Sequence, residues 1–207
     1  MEHREDLTAT DAGSVDETRR RFTKAGLAGS GVILTLASRQ VIAAGQVCQS
    51  ASAFSSANTS APGQTAYYCV GLTPGYWKTH TPWPSPYSPG KCTATSPALT
   101  TCKTYDSSGT VFHSVFPVGA YCTNFGTTSM MNVMWLGGSV DTYEMGAHMT
   151  ATALNIAAGK IPSPVLTQAA LLGIWSSYAN TGYFSPTPGM KWYGPDIVTY
   201  LKSTMPL

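Results

Sequence analysis

Past residue 128 the apolar positions of the chain recur at helical spacing, and before it they do not. Met145, Met149, Ala153 and Ile156 fall on one side of a helix. Asp141, with Glu144 three residues on, forms a capping-box pattern at its start, and Gly159 stops it after about Ala158. Ser163-Pro164 predicts the next helix start, with Val165, Leu166, Ala169, Leu172 and Trp175 inward and Asn180 to Gly182 as its end. Pro195 to Thr204 reads as a last short helix carrying Ile197, Val198 and Leu201. Ser129 to Leu136 reads as another, stopped by Gly137-Gly138.

Upstream the pattern is broken. Ala66 to Leu72 and Val111 to Phe116 are strand candidates, the first closed by a turn at Thr73-Pro74-Gly75. Alternating prolines from Pro82 to Pro89 predict an extended, polyproline-like loop. Residues 49–65 are small and polar without period and read as an extended arm. The expected fold class is therefore α+β: a small, loop-rich, disulfide-tied first half with short strands, then a helical C-terminal half.

The N-terminus has a different character. Thr18-Arg19-Arg20-Arg21-Phe22-Thr23-Lys24 precedes a mildly apolar, glycine-diluted run from Ala25 to Ala37. These residues resemble a twin-arginine signal peptide, with Arg19, Arg20, Phe22 and Lys24 at its defining positions. The resemblance implies engagement of the export machinery and cleavage near Ala43 or Ala44. The expected division is a signal over 1–44, an arm or linker over 45–65 and one globular domain over 66–207. The expected location is extracellular or at the cell surface, with the periplasm as the alternative.

The net charge of +2 hides an asymmetry. Beyond residue 45 the chain has six lysines (78, 91, 103, 160, 191, 202), four acids (106, 141, 144, 196) and no arginine. That body lacks the charge density that grips phosphates, so nucleic acid is not an expected partner. No stretch reaches the ~20 apolar residues of a spanning helix.

All five cysteines lie in the same body, and none forms a C-x-x-C pair. Disulfides are the reading for an oxidising compartment. Cys92 with Cys102 closes the shortest loop, and Cys48 with Cys69 is the second choice. Cys122 is then left over, either as a free thiol or as a link between chains.

One local string carries information of another kind. Thr73-Pro74-Gly75-Tyr76-Trp77-Lys78-Thr79-His80 resembles a Pro-Gly-Tyr-Trp-Lys-x-His element of secreted bacterial proteins of unassigned function. The Ala153-Leu154-Asn155 run and Trp175 before Tyr178 look similar to the helical tail of those proteins. The resemblance supplies no catalytic residue.

Three functions follow from these residues. Low charge, aromatics, the arm and an odd cysteine lead to a non-enzymatic structural protein that self-assembles at the cell surface. The alternative is a secreted module that binds carbohydrate through amphipathic aromatics near Pro or Gly: Trp77, Trp83, Tyr87, Trp192 and Tyr193, of which Trp83 and Tyr87 are expected to be the most exposed. The third is a metal-dependent enzyme, in which His80 joins Glu144 and His148, four apart on one helix, around a transition metal.

Overall fold

The computed structural model describes residues 46–56, 65–93 and 102–206. The twin-arginine residues Arg19, Arg20, Phe22 and Lys24 lie outside them. The described body is α+β. Two short antiparallel strands, β1 (Gln46–Cys48) and β2 (Tyr67–Cys69), open it, in the register Gln46 to Cys69 and Cys48 to Tyr67. Helices follow: α1 (Ala51–Ser55), α2 (Pro74–Thr79), α3 (Phe112–Val115), α4 (Met130–Trp135), α5 (Met145–Ala157), α6 (Gln168–Thr181) and α7 (Gly194–Ser203). None is long and apolar enough to cross a membrane. Disulfides Cys48–Cys69 and Cys92–Cys102 tie the first half, as fits an exported protein.

Helix α5 is the axis of the core. Every residue from Met145 to Asn155 is buried, against α2, α4, α6 and α7. A helix apolar on all sides belongs inside, and its small residues Gly146, Ala147, Ala151 and Ala153 let neighbours approach closely. A Cβ at Gly146 would stand 2.7 Å from Val133 Cγ1. Methionines Met130, Met131, Met134, Met145 and Met149 fill the gaps around it.

Several expected boundaries move, each for a local reason. Thr73-Pro74-Gly75 is a helix start rather than a turn. Thr73 Oγ1 accepts from the Tyr76 N–H at 3.4 Å, and Pro74 takes the first helical position. Val111–Phe116 is not a strand: Phe112–Val115 winds into a helical turn that buries Phe112 among Phe116, Phe125 and Trp175. Helix α6 starts four residues after Pro164, because Thr167 caps it through the Ala170 N–H at 3.1 Å. The proline loop contains two cis peptides, Thr81–Pro82 and Ser85–Pro86.

The expected arm is part of the fold over its first residues. Ser50 caps α1, and Phe54 of α1 lies edge-on to Trp192 at 5.7 Å and to Tyr200 at 5.5 Å. The Cys48–Cys69 bond fixes the same segment from the other side.

A clamp joins the two halves. Asn155 Oδ1 accepts from the Trp77 indole N–H at 3.1 Å and from the Leu72 N–H at 2.8 Å. Its Nδ2 donates to the Leu72 carbonyl at 2.8 Å. The tryptophan of the Pro-Gly-Tyr-Trp string and the asparagine of the Ala-Leu-Asn run are thus partners in one buried contact. Tyr76 remains exposed beside them, stacked on His80 at 3.8 Å.

Candidate functional site

The metal set is not assembled. Among the described residues no three of His, Cys, Asp and Glu are placed to hold an ion. His80 sits exposed at the end of α2, its Nδ1 shared between the Tyr76 carbonyl and Thr79 Oγ1, each at 2.9 Å. His148 is buried and its Nδ1–H donates to the Glu144 carbonyl at 2.8 Å, so the residue expected as a fellow ligand holds it through the backbone instead. His113 is engaged at both ring nitrogens: Nδ1–H donates to the Phe116 carbonyl at 2.7 Å and Nε2 accepts from the Phe125 N–H at 2.9 Å.

His148 has a consequence for stability. Burial holds its imidazole below the ordinary 6.5, the Glu144 carbonyl bond opposes this, and Lys202 and Lys78 add to the lowering while the Glu144 carboxylate opposes it. With the folded value depressed, its contribution is complete above pH 6.5 and is lost as the pH falls towards the folded value. The slope is bounded by the one-proton limit of about 1.4 kcal/mol per pH unit. Urea midpoints measured from pH 7 down to 5 are expected to fall, and His148→Gln to flatten that part of the profile.

The aromatics expected to face a ligand are corrected in part. Trp83 is buried, with its indole N–H donating to the Trp77 carbonyl at 3.2 Å. Trp192 is buried among Phe54, Phe184 and Tyr200. Tyr87 is half-buried against the core. Both indoles serve packing, Trp83 within the core and Trp192 under neighbouring rings, a fact that proximity to Pro or Gly does not reveal. Tyr193 alone of that group is well exposed, at 55%.

Tyr193 belongs to a circuit of tyrosines that the sequence scatters over more than seventy positions. Its ring lies 6.2 Å from that of Tyr183. The Tyr121 ring rests on Gly182, where a Cβ would stand 3.2 Å from it. The Tyr143 ring rests on Gly194, where a Cβ would stand 2.4 Å from it. Tyr121 and Thr142 then line one recess of about 60 Å³, with Cys122, Thr123, Asp141 and Tyr178. Phe125, Met145 and Trp175 complete its lining, which includes Tyr121 and Tyr178 but not Tyr143, Tyr183 or Tyr193.

Each wall has an evident cause. The segment from Pro117 to Cys122 is laid on α6: Trp175 Nε1–H donates to the Pro117 carbonyl at 2.7 Å, and the Tyr121 N–H to the Ala179 carbonyl at 2.9 Å. This presents Tyr121 outward and turns Cys122 inward, where its Sγ accepts from the Gly119 N–H at 3.2 Å. The thiol is free and half-buried.

On the opposite wall, Asp141 does not form the expected box with Glu144. Its two carboxylate oxygens accept from the Gly146 and Ala147 N–H groups, both at 2.9 Å, across the turn Thr142–Glu144. Burial pushes the Asp141 carboxyl up, and those N–H bonds oppose the shift. The cap reaches two residues further into α5 than a box would, and the intervening chain must loop outward. Tyr143 (φ 62°) and Glu144 (φ 54°) consequently occupy the left-handed region.

Left-handed backbone costs an L-residue about 1–2 kcal/mol, and strain of this kind concentrates where a side chain must be presented. Glu144 is exposed and has no side-chain cap bond, so Glu144→Gly should relieve the strain without loss. The expected result is a stability gain of about 0.5–1 kcal/mol in urea unfolding.

The chemistry offered is that of hydrogen bonding and stacking. Tyr200 spends its hydroxyl on the Val165 carbonyl, whereas those of Tyr121, Tyr143, Tyr178, Tyr183 and Tyr193 have no partner among the described residues. Tyr178 is only 8% exposed, and its neighbours include Tyr143, Cys122 and Asp141. Lys191 Nζ lies 4.1 Å over the Tyr183 ring. A second, larger depression of about 500 Å³ is open and lined mainly by small and apolar residues between α1 and α6. Its polar lining consists of hydroxyl groups, from Ser50, Ser52, Ser163, Thr167 and Tyr200, with no ionisable carboxyl or thiol among them.

Comparison of the chain with protein-family models, with curated proteins and with solved structures yields no match.

Proposed function

We propose that the chain is an exported, non-enzymatic binding module that works through the recess lined by Tyr121 and Tyr178. One observation supports the reading: Tyr121 and Tyr178 line one recess, and Tyr121, Tyr143 and Tyr193 are the most exposed aromatic rings among the described residues of a body of low charge. Tyrosine gives a large contact area at small entropic cost and a hydroxyl that seeks a partner. Two features that favoured self-assembly at the level of sequence are engaged within the chain: Phe54 docks the start of the arm, and Cys122 lies behind Tyr121.

Self-assembly keeps one specific support. Val47 and Tyr68, register partners on the ribbon, are 46% and 41% exposed, and Val70 beside them is 46% exposed. Few charges oppose close approach of two copies there. Light scattering on the exported chain without reductant separates the readings. A monomer supports the binding module. Filaments or large particles dissolved by Val47→Asp put assembly in its place.

A further inference from the structure

We infer that Cys122 is a modification site: its thiol exchanges with a low-molecular-weight disulfide and holds the small thiol so acquired in the recess. The inference stands whatever the exposed tyrosines bind.

Cys122 is the free cysteine of the described residues, since the bonds Cys48–Cys69 and Cys92–Cys102 take up the others. It is half-buried and lines the recess between the Tyr121–Thr123 loop and the Asp141–Met145 turn, together with Phe125, Trp175 and Tyr178. Its sulfur is held by one residue: Sγ accepts from the Gly119 N–H at 3.2 Å, and its S–H donates to the Gly119 carbonyl at 3.6 Å. The loop that carries it is fixed to α6 by the bond from the Tyr121 N–H to the Ala179 carbonyl. The thiol is therefore both reachable and placed.

A lone thiol does not by itself call for a ligand. Tyr178 supplies the second reason. It is 8% exposed and lines the same recess, yet its hydroxyl has no partner among the described residues. The wholly covered side-chain groups left without a partner are Trp135 Nε1 and Thr150 Oγ1. The Tyr178 hydroxyl is not one of them, so part of it is open, and the recess is the opening that its side chain borders. A buried hydroxyl normally has a partner, and a polar group on a small molecule held at Cys122 would supply one.

The same geometry disfavours a bond between two chains. A disulfide requires its two Cα atoms to stand about 4.4–6.8 Å apart. A second chain would have to bring its backbone in past Tyr121, which is 64% exposed, and between the two walls of the recess. A small disulfide brings a sulfur on a flexible stem and no folded surface.

The exchange balances without another oxidant. The Cys122 thiolate attacks one sulfur of the small disulfide, a bond forms between Sγ and that sulfur, and the original S–S bond breaks. The departing thiolate takes up the proton that Cys122 released. The Gly119 N–H, already directed at Sγ, supports charge on that sulfur during attack. Small disulfides are available in an oxidising compartment.

The test is intact-mass spectrometry of the native exported chain, without denaturant, after incubation with hydroxyethyl disulfide. One adduct per chain is expected, mapped to Cys122 by peptide digestion, absent from Cys122→Ser and removed by reductant. This adduct ends in a hydroxyl, the kind of group that Tyr178 lacks as a partner. Tyr178→Phe is therefore expected to shift its equilibrium about fivefold towards the free thiol, the usual worth of one hydrogen bond. The adduct of dimethyl disulfide, which has no polar group, should be unaffected by the same substitution. Labelling that occurs only in urea, adducts on the paired cysteines in place of Cys122, or a reductant-sensitive dimer that Cys122→Ser abolishes would each overturn the inference. An equal response of both adducts to Tyr178→Phe would overturn the part assigned to Tyr178.

Discussion

Asn155→Ala is expected to lower stability by about 2–4 kcal/mol, because one truncation orphans three groups at once, a buried indole N–H and the N–H and carbonyl of half-buried Leu72. The Trp77 indole N–H, the Leu72 N–H and the Leu72 carbonyl all lose their partner. Each unsatisfied buried polar group costs about 1–3 kcal/mol, and a residue with no exposure offers little water in compensation. Trp77→Phe removes only one of the three bonds and should cost less, about 1–2 kcal/mol. Urea unfolding of the two variants beside the parent chain measures the difference. Near-equal losses would mean that Asn155 acts through volume rather than through its amide.

Gly119→Ala is the second large effect expected. A Cβ at Gly119 would stand 2.1 Å from the Ala179 carbonyl oxygen and 2.4 Å from its carbon. Neither is the far end of a flexible side chain, so the segment from Pro117 to Cys122 must lift off α6. Overpacking of this kind costs about 1–3 kcal/mol and occasionally more, and the clash with backbone places this substitution at the upper end. The same movement would displace Tyr121 and Cys122, so any binding at the recess should be lost as well. Gly126→Ala makes a useful comparison: it too concerns a loop glycine, but nothing stands within 4 Å of the added carbon. Its cost would come from a φ of 58° alone.

Much of the fold was legible because helices announce themselves locally. The short helix beginning at Ser129, Gly182 as a stop and the inward face of α7 follow from residues within one or two turns. The two disulfides lie where loop closure suggested. Elements set by distant partners were less legible. Phe112 reads as strand from its neighbours, yet two rings from elsewhere, Phe125 and Trp175, pack on it in a helical turn. Phe54 looks like part of a polar arm until Trp192 and Tyr200 come to it.

The candidate site was hardly legible at all. Its tyrosines come from three separate loops and one helix, with no fixed spacing, and only tertiary packing brings their rings near one another. Tyr193 was recognisable as a presented ring beside Gly194. Tyr121, Tyr143, Tyr178 and Tyr183 were not. The best sequence signal for them is indirect: Gly182 and Gly194 stand next to Tyr183 and Tyr193, and each glycine makes room for the ring of another tyrosine. The histidines misled because residue type and helical spacing agreed with metal ligation. The backbone carbonyl of Glu144, which the sequence cannot orient, took the Nδ1 of His148.

The claim that the recess is the working surface is tested most directly by NMR of the exported chain carrying ¹³C-labelled tyrosine. The chain has 11 tyrosines, so each ring can be followed separately during titration with carbohydrate, β-linked glucose and N-acetylglucosamine hexasaccharides in turn. The account predicts shifts confined to Tyr121, Tyr143, Tyr178, Tyr183 and Tyr193. Shifts at Tyr68 and Tyr76 with the rim silent, or no shift at any ring, would contradict it.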